Sequence, residues 1–124
     1  MTRALRIAVA DDEPDVREYF RKILGHLGHE VVATAATGRE LVNLCREQLP
    51  DLVITDVRMP ELDGDEAIHQ ICAVRPIPFI LVSAYSKPAN VPNGLDGVAW
   101  TYLTKPVKKQ DLEAAIQLAV PDAN

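Results

Sequence analysis

The sequence predicts an α/β fold: a doubly wound, five-stranded parallel sheet with helices on both faces, in one domain spanning residues 1–124. Three observations carry this expectation. Short apolar runs end in polar groups: Leu5 to Ala10 before Asp11-Asp12, Leu52 to Thr55 before Asp56, Phe79 to Val82 before Ser83, and Trp100 to Leu103 before Thr104-Lys105-Pro106. Runs of this length between helical stretches read as strands buried on both faces of a parallel sheet. Strand-like and helix-like segments alternate from end to end, the pattern of βαβ units. A length of 124 residues suits one domain that folds without disulfides or a structural metal.

The elements follow in order. After the first strand, Pro14 suits the first turn of a helix, with acidic Glu13 before it as a candidate cap. Val16, Phe20, Ile23, Leu24 and Leu27 recur at helical spacing and form one apolar stripe, which Gly28 ends. Glu30 to Thr34 is a short second strand. Thr37-Gly38 opens the next helix, with Glu40 at capping-box spacing and Leu41, Val42, Cys45 and Leu49 facing inward; Pro50 stops it. Leu52 to Asp56 is the third strand. Asp63 or Gly64 begins a third helix with Ala67, Ile68, Ile71 and Cys72 inward, and Pro76 and Pro78 bound the fourth strand. Pro88, Pro92, Gly94 and Gly97 oppose a regular helix, so a short or irregular fourth one is expected there. The fifth helix runs from about Lys108 to Val120 on Leu112, Ala115, Ile116 and Ala119.

Side by side in one sheet, these strands bring Asp11, Asp12, Asp56, Ser83 and Lys105 to its carboxyl edge, where open α/β sheets bind ligands. Adjacent carboxylates repel one another, and a hard divalent cation such as Mg²⁺ relieves that repulsion through oxygen ligands. Asp12 and Asp56 are the first choices as direct ligands; Asp11 would ligate the ion or orient a water on it. Taken alone, Asp11-Asp12-Glu13 would be an acidic helix N-terminus favoured by its dipole. A carboxylate such as Asp56 can attack phosphorus and form an acyl phosphate, with Lys105 supplying a second positive charge.

The set closely resembles the receiver domain of two-component response regulators, the CheY-like superfamily. The residues that carry the resemblance are Asp11-Asp12, Asp56, Met59-Pro60, Asp63-Gly64, Ser83-Ala84, Tyr102 and Lys105-Pro106, in order across nearly the whole chain. The resemblance implies a flavodoxin-like sheet of order 2-1-3-4-5. It implies Asp56 as phosphoacceptor, Lys105 and Ser83 as groups on the phosphoryl oxygens, and Mg²⁺ or Mn²⁺ held by Asp11, Asp12, Asp56 and the backbone carbonyl of Arg58. It further implies a cis Lys105–Pro106 peptide bond and a switch in which Ser83 and Tyr102 move together. The implied partners are a sensor histidine kinase or phosphotransfer protein, and an output protein or an output domain absent from this chain. The sequence leans toward receivers attached to RNA-binding antiterminator outputs, and phosphorylation could drive dimerisation. Arg58 and Tyr85 occupy positions that vary across the family, and their bulk and charge would slow water attack on an acyl phosphate.

A net charge of −5 disfavours direct nucleic-acid binding, which needs a basic surface. Cys45 and Cys72 have no metal-type spacing and read as small buried thiols in a reducing compartment. His26, His29 and His69 stand apart from the acidic cluster; His26 and His29 read as solvated helix-terminal residues. There is no signal peptide and no apolar stretch long enough to span a bilayer, so a cytoplasmic location is expected.

Three other functions compete. A haloacid-dehalogenase-type phosphatase also uses an Asp nucleophile, but in an Asp-x-Asp pattern, and here Asp56 is followed by Val57-Arg58 with no room for a cap. A flavodoxin-like redox carrier needs a phosphate loop, which Asp11-Asp12-Glu13-Pro14 would repel. A pseudo-receiver would bind partners without phosphorylation, and the complete acidic, hydroxyl and lysine set argues against it. The expectation is therefore a signalling receiver with no enzymatic turnover beyond its own phosphorylation and dephosphorylation at Asp56.

Overall fold

In the computed structural model, which describes residues 3–84 and 98–123, five apolar runs become strands β1 (Arg6–Ala10), β2 (Glu30–Ala35), β3 (Leu52–Asp56), β4 (Phe79–Ser83) and β5 (Trp100–Thr104). They form one parallel sheet in the order β2-β1-β3-β4-β5, as expected. Four helices flank them among the described residues: α1 (Pro14–His26), α2 (Gly38–Gln48) and α3 (Gly64–Val74) between strands, and α4 (Lys109–Ala119) after β5, the last being the expected final helix. The expected irregular helix over 88–97, like Tyr85, lies outside the described residues.

Alternation along each strand sorts side chains between two cores. Ile7, Val9, Leu52, Ile54, Ile80 and Val82 meet Phe20 and Leu24 of α1 and Leu112 and Ile116 of α4. On the opposite face Ala8, Val53, Phe79 and Leu81 meet Leu41 and Val42 of α2 and Ala67 and Ile68 of α3. Both faces of the sheet are covered, which is why its strands read as continuous apolar runs and not as alternating ones. Each valine, leucine, isoleucine or phenylalanine among them, when fully buried, contributes roughly 1.5–3 kcal/mol relative to exposure.

The helix ends follow local chemistry. Thr37 Oγ1 accepts the Glu40 N–H at 3.1 Å, and Glu40 Oε1 accepts the Ala36 N–H at 2.8 Å. Gly28 closes α1 with φ 87°, a conformation that costs a residue with a Cβ. Three expectations need correction. Leu49, expected to face inward from the second helix, is 51% exposed, because it is the left-handed C-cap that follows Gln48. Glu13 stands at the N-cap of α1, but its side chain makes no cap bond; its own N–H donates to Asp11 Oδ1 at 2.9 Å instead. His29 is not solvated: it is 6% exposed, and its Nδ1 accepts the Leu5 N–H at 2.9 Å, because the end of α1 turns back beneath β1.

At the amino edge of the sheet the two ends of the described chain meet. Arg3 and Ala123 form a parallel bridge, the Arg3 N–H donates to the Asp122 carbonyl at 2.8 Å, and the Arg3 guanidinium pairs with Asp122 at 2.9 Å and Asp51 at 3.4 Å. Cys45 and Cys72 are free thiols. Burial pushes Cys45 up to about 12 and raises Cys72 as well. No helix among the described residues is long and apolar enough to cross a membrane.

Candidate functional site

β1 and β3 are neighbours, and their carboxyl ends deliver Asp11, Asp12 and Asp56 to one point. One carboxylate oxygen from each lies within 4.8 Å of the others. Lys105, one residue beyond β5, reaches back across β4: its Nζ stands 2.9 Å from Asp11 Oδ2 and 3.3 Å from Asp56 Oδ2. Its backbone N–H donates to the Ser83 carbonyl at 2.7 Å, which fixes β5 beside the end of β4. The Lys105–Pro106 peptide bond is cis.

Each acid has a different setting. Asp11 is 1% exposed, and its two oxygens are engaged by the Glu13 N–H and Lys105. Asp56 is partly buried and Asp12 is exposed. Burial pushes the Asp56 carboxyl above its ordinary range; the Lys105 charge opposes this and the neighbouring Asp11 charge adds to it. For Lys105, burial acts to lower the ammonium, yet hydrogen bonding to Asp11 and the charges of Asp56 and Asp11 outweigh it, so the group sits above its ordinary value. Three carboxylates and one ammonium leave a formal charge of −2 on oxygen-only donors. That donor set suits a hard divalent cation.

The loop after β3 is held from several sides. Thr55 Oγ1 donates to the Asp56 carbonyl at 2.9 Å, and the Gly64 N–H donates to the Val57 carbonyl at 2.8 Å. A Cβ on Gly64 would lie 1.9 Å from the Asp56 carbonyl oxygen, so only glycine lets α3 start this close to Asp56. Asp63 accepts the Met59 N–H at 3.1 Å instead of capping its own helix. Met59 is buried and Arg58 is exposed.

Ser83 is 5% exposed at the carboxyl end of β4, one residue past the rung that pairs Asp56 with Val82. Tyr102 is partly buried against the α2 and α3 side of the sheet, while its neighbour Leu103 packs on the α1 and α4 side. His29 lies at the other edge of the sheet, beside Leu5.

Three supporting residues escape a reading of the sequence: Thr55, Tyr19 and Arg17. Arg17 Nη1 donates to the Asp11 carbonyl at 2.7 Å. A cation near a helix N-terminus opposes the dipole, and that mismatch was the one available signal. Tyr19 donates its hydroxyl to the Val107 carbonyl, tying α1 to the segment after Pro106.

Comparison with known proteins gives one consistent answer. A model of the response regulator receiver domain matches residues 7–117. The transcriptional regulatory protein PdtaR of Mycobacterium tuberculosis is 39% identical over 115 residues, 93% of this chain and 56% of its own length. The transcriptional regulatory protein AfsQ1 of Streptomyces coelicolor is 36% identical over 111 residues, 90% of this chain and 49% of its own. The chain thus spans about half the length of the curated relatives it matches. Among solved structures, the signal receiver domain of NarL from M. tuberculosis superposes with a TM-score of 0.80 at 31% identity, covering 91% of this chain and 93% of that one.

Proposed function

Because this chain belongs to the response regulator receiver family of two-component signalling, we propose that Asp56 accepts a phosphoryl group from a histidine kinase or phosphotransfer protein and that its phosphorylation switches partner binding. The observation that carries the reading is the meeting of Asp11, Asp12 and Asp56 with Lys105, whose Nζ lies 2.9 Å from Asp11 and 3.3 Å from Asp56.

An Asp56 oxygen bonds to phosphorus as the bond from phosphorus to the donor's imidazole nitrogen breaks, the electron pair leaving with that nitrogen. Lys105 is already drawn toward Asp56 and supplies positive charge to the transferred group. Asp11 holds Lys105 in place from a buried position. Asp11, Asp12 and Asp56, with the Arg58 carbonyl, would hold Mg²⁺ or Mn²⁺, which when bound neutralises charge on the phosphoryl oxygens. The Ser83 hydroxyl would take one of those oxygens, and the Tyr102 ring would turn inward as Ser83 moves, reshaping the surface around β5. The chemistry ends with hydrolysis at Asp56, without turnover of small phosphate esters. Arg58, exposed two residues after Asp56, would shield the acyl phosphate from water, so Arg58→Asn should change the dephosphorylation rate.

An apolar groove of about 520 Å³ opens beside Lys105, lined in part by Val16, Tyr19, Phe20, Pro106 and Val107. It would offer the donor protein a seat beside Lys105. The names of the relatives support an output in transcriptional control, delivered by a partner or by a further domain.

The test is intact-mass measurement after incubation with Mg²⁺ and acetyl phosphate, with Asp56→Asn alongside. Gain of one phosphoryl mass in the parent and none in the variant is the expected result. No gain in the parent, with beryllofluoride also leaving Trp100 fluorescence unchanged, would overturn the reading in favour of a pseudo-receiver.

A further inference from the structure

A second, smaller groove lies at the opposite edge of the sheet, between the C-terminal ends of α2 and α3. Val42, Cys45, Leu49, Ile71, Val74 and Ile77 line it, and Arg46 and Arg75 flank it. Its volume is about 170 Å³, close to that of a cavity known to take a benzene molecule, about 150 Å³. One aromatic or branched aliphatic side chain would fill it.

Two further observations point to an occupant. Leu49 is 51% exposed and Val74 is 71% exposed, an apolar rim that water covers poorly. Leu49 also holds φ 48°, a left-handed position that glycine or asparagine would occupy without strain. Arg6 donates to the Leu49 carbonyl at 3.2 Å and fixes that conformation. The chain therefore keeps a strained leucine where a helix end alone would be better served by glycine. The charges are equally pointed. In a protein of net charge −5, the groove is flanked by two exposed guanidiniums, and neither has an ion-pair or hydrogen-bond partner among the described residues.

We propose that this groove docks an acidic segment of a partner protein, with one apolar anchor inserted between Leu49 and Val74 and carboxylates on either side meeting Arg46 and Arg75. Arginine suits this task because its planar fork pairs with carboxylates in two-point contacts. The site lies at the opposite edge of the sheet from Asp56 and shares no residue with the acidic cluster, so the proposal does not rest on the phosphoacceptor reading.

The probe is a fluorescein-labelled peptide with one phenylalanine flanked by three aspartates on each side, titrated with unphosphorylated full chain and read by anisotropy. The expected dissociation constant lies between about 10 µM and 1 mM, as suits a single-anchor contact. Replacing the phenylalanine by alanine, or the aspartates by lysine, should weaken binding at least tenfold. Arg46→Glu with Arg75→Glu should do the same. Leu49→Gly separates docking from folding: it should raise the thermal midpoint by relieving the left-handed strain and still weaken the probe at least threefold. Chemical-shift changes on probe addition should centre on Leu49, Val74 and Ile77. Absence of binding at about 1 mM, binding indifferent to the double arginine change, or shifts centred on Lys105 and Lys108 would each overturn the proposal. So would self-association that the probe disrupts, since the occupant would then be a second copy of this chain.

Discussion

Asp56 stands between burial, which disfavours its charge, and Lys105, which supports it, and burial prevails. Its folded-state value therefore lies above the unfolded one near 3.8. The stability this contributes is complete below the unfolded value and is lost as pH rises through the folded one. At neutral pH the ionised carboxylate is thus a cost to the fold. Asp56→Asn, in EDTA at neutral pH, should raise the free energy of urea unfolding by on the order of 1 kcal/mol; a lower value would mean that the Lys105 pair outweighs burial. Lys105→Ala should act the other way, since Asp11, 1% exposed, would lose its cation; we expect a loss of about 3 kcal/mol in the same assay. Cys45, raised from 9.0 to about 12, has the same sign as Asp56 in a higher window: stability should fall as pH climbs from about 9 to about 12. In dithiodipyridine labelling at pH 8 with peptide mapping, Cys45 should resist until the chain unfolds. At this scale the acids and Lys105 were legible because each ends an apolar run. Thr55 and His29 were not, because their roles arise from contacts with the Asp56 carbonyl and Leu5 that no local pattern announces.

Between β3 and α3 a short loop carries the backbone that follows Asp56, and two glycines set its position. A Cβ on Gly64 would meet the Asp56 carbonyl oxygen at 1.9 Å, and a Cβ on Gly38 at the start of α2 would meet the Leu62 carbonyl oxygen at 1.9 Å. Backbone atoms cannot give way as a side-chain tip can. Gly64→Ala and Gly38→Ala should each destabilise by about 2 kcal/mol in urea unfolding. They should differ in phosphorylation: Gly64→Ala displaces Asp56 itself and should slow uptake from acetyl phosphate at least tenfold, whereas Gly38→Ala presses on the far side of the loop and should slow it less. Equal rates in the two variants would remove Gly64 from its positioning role. The strands were legible at this level because burial on both faces makes them uniformly apolar. Helix starts were legible as positions but less so as chemistry: Thr37 and Glu40 cap as their spacing implies, whereas Glu13 and Asp63 stand at N-caps without capping. The Asp63 carboxylate leaves the cap for the Met59 N–H, and at Glu13 it is the backbone N–H, not the side chain, that is engaged, by Asp11; neither outcome is settled by local sequence.

For the molecule as a whole, a metal ion at the acidic cluster would link folding to metal concentration. An ion that binds the folded chain and not the unfolded one raises stability by RT ln(1 + [L]/Kd), about 2.7 kcal/mol at a hundredfold excess over Kd. Urea unfolding with Mg²⁺ should show that rise, EDTA should remove it, and Asp12→Asn should blunt it with little effect on the metal-free midpoint, since Asp12 is exposed. A midpoint indifferent to Mg²⁺ would separate the cluster from metal binding. The sheet order was legible only through family resemblance, because apolar runs announce strands but not which runs become neighbours. The bridge between Arg3 and Ala123 was not legible at all. Its consequence concerns connectivity. Ends that already lie a strand's width apart, about 4.8 Å, can be joined by a short glycine-serine linker and the ring reopened at the exposed Arg75-Pro76 turn. Such a circular permutant would be translated with β4 first and should still assemble the order β2-β1-β3-β4-β5, adjacency in space outweighing the order of synthesis.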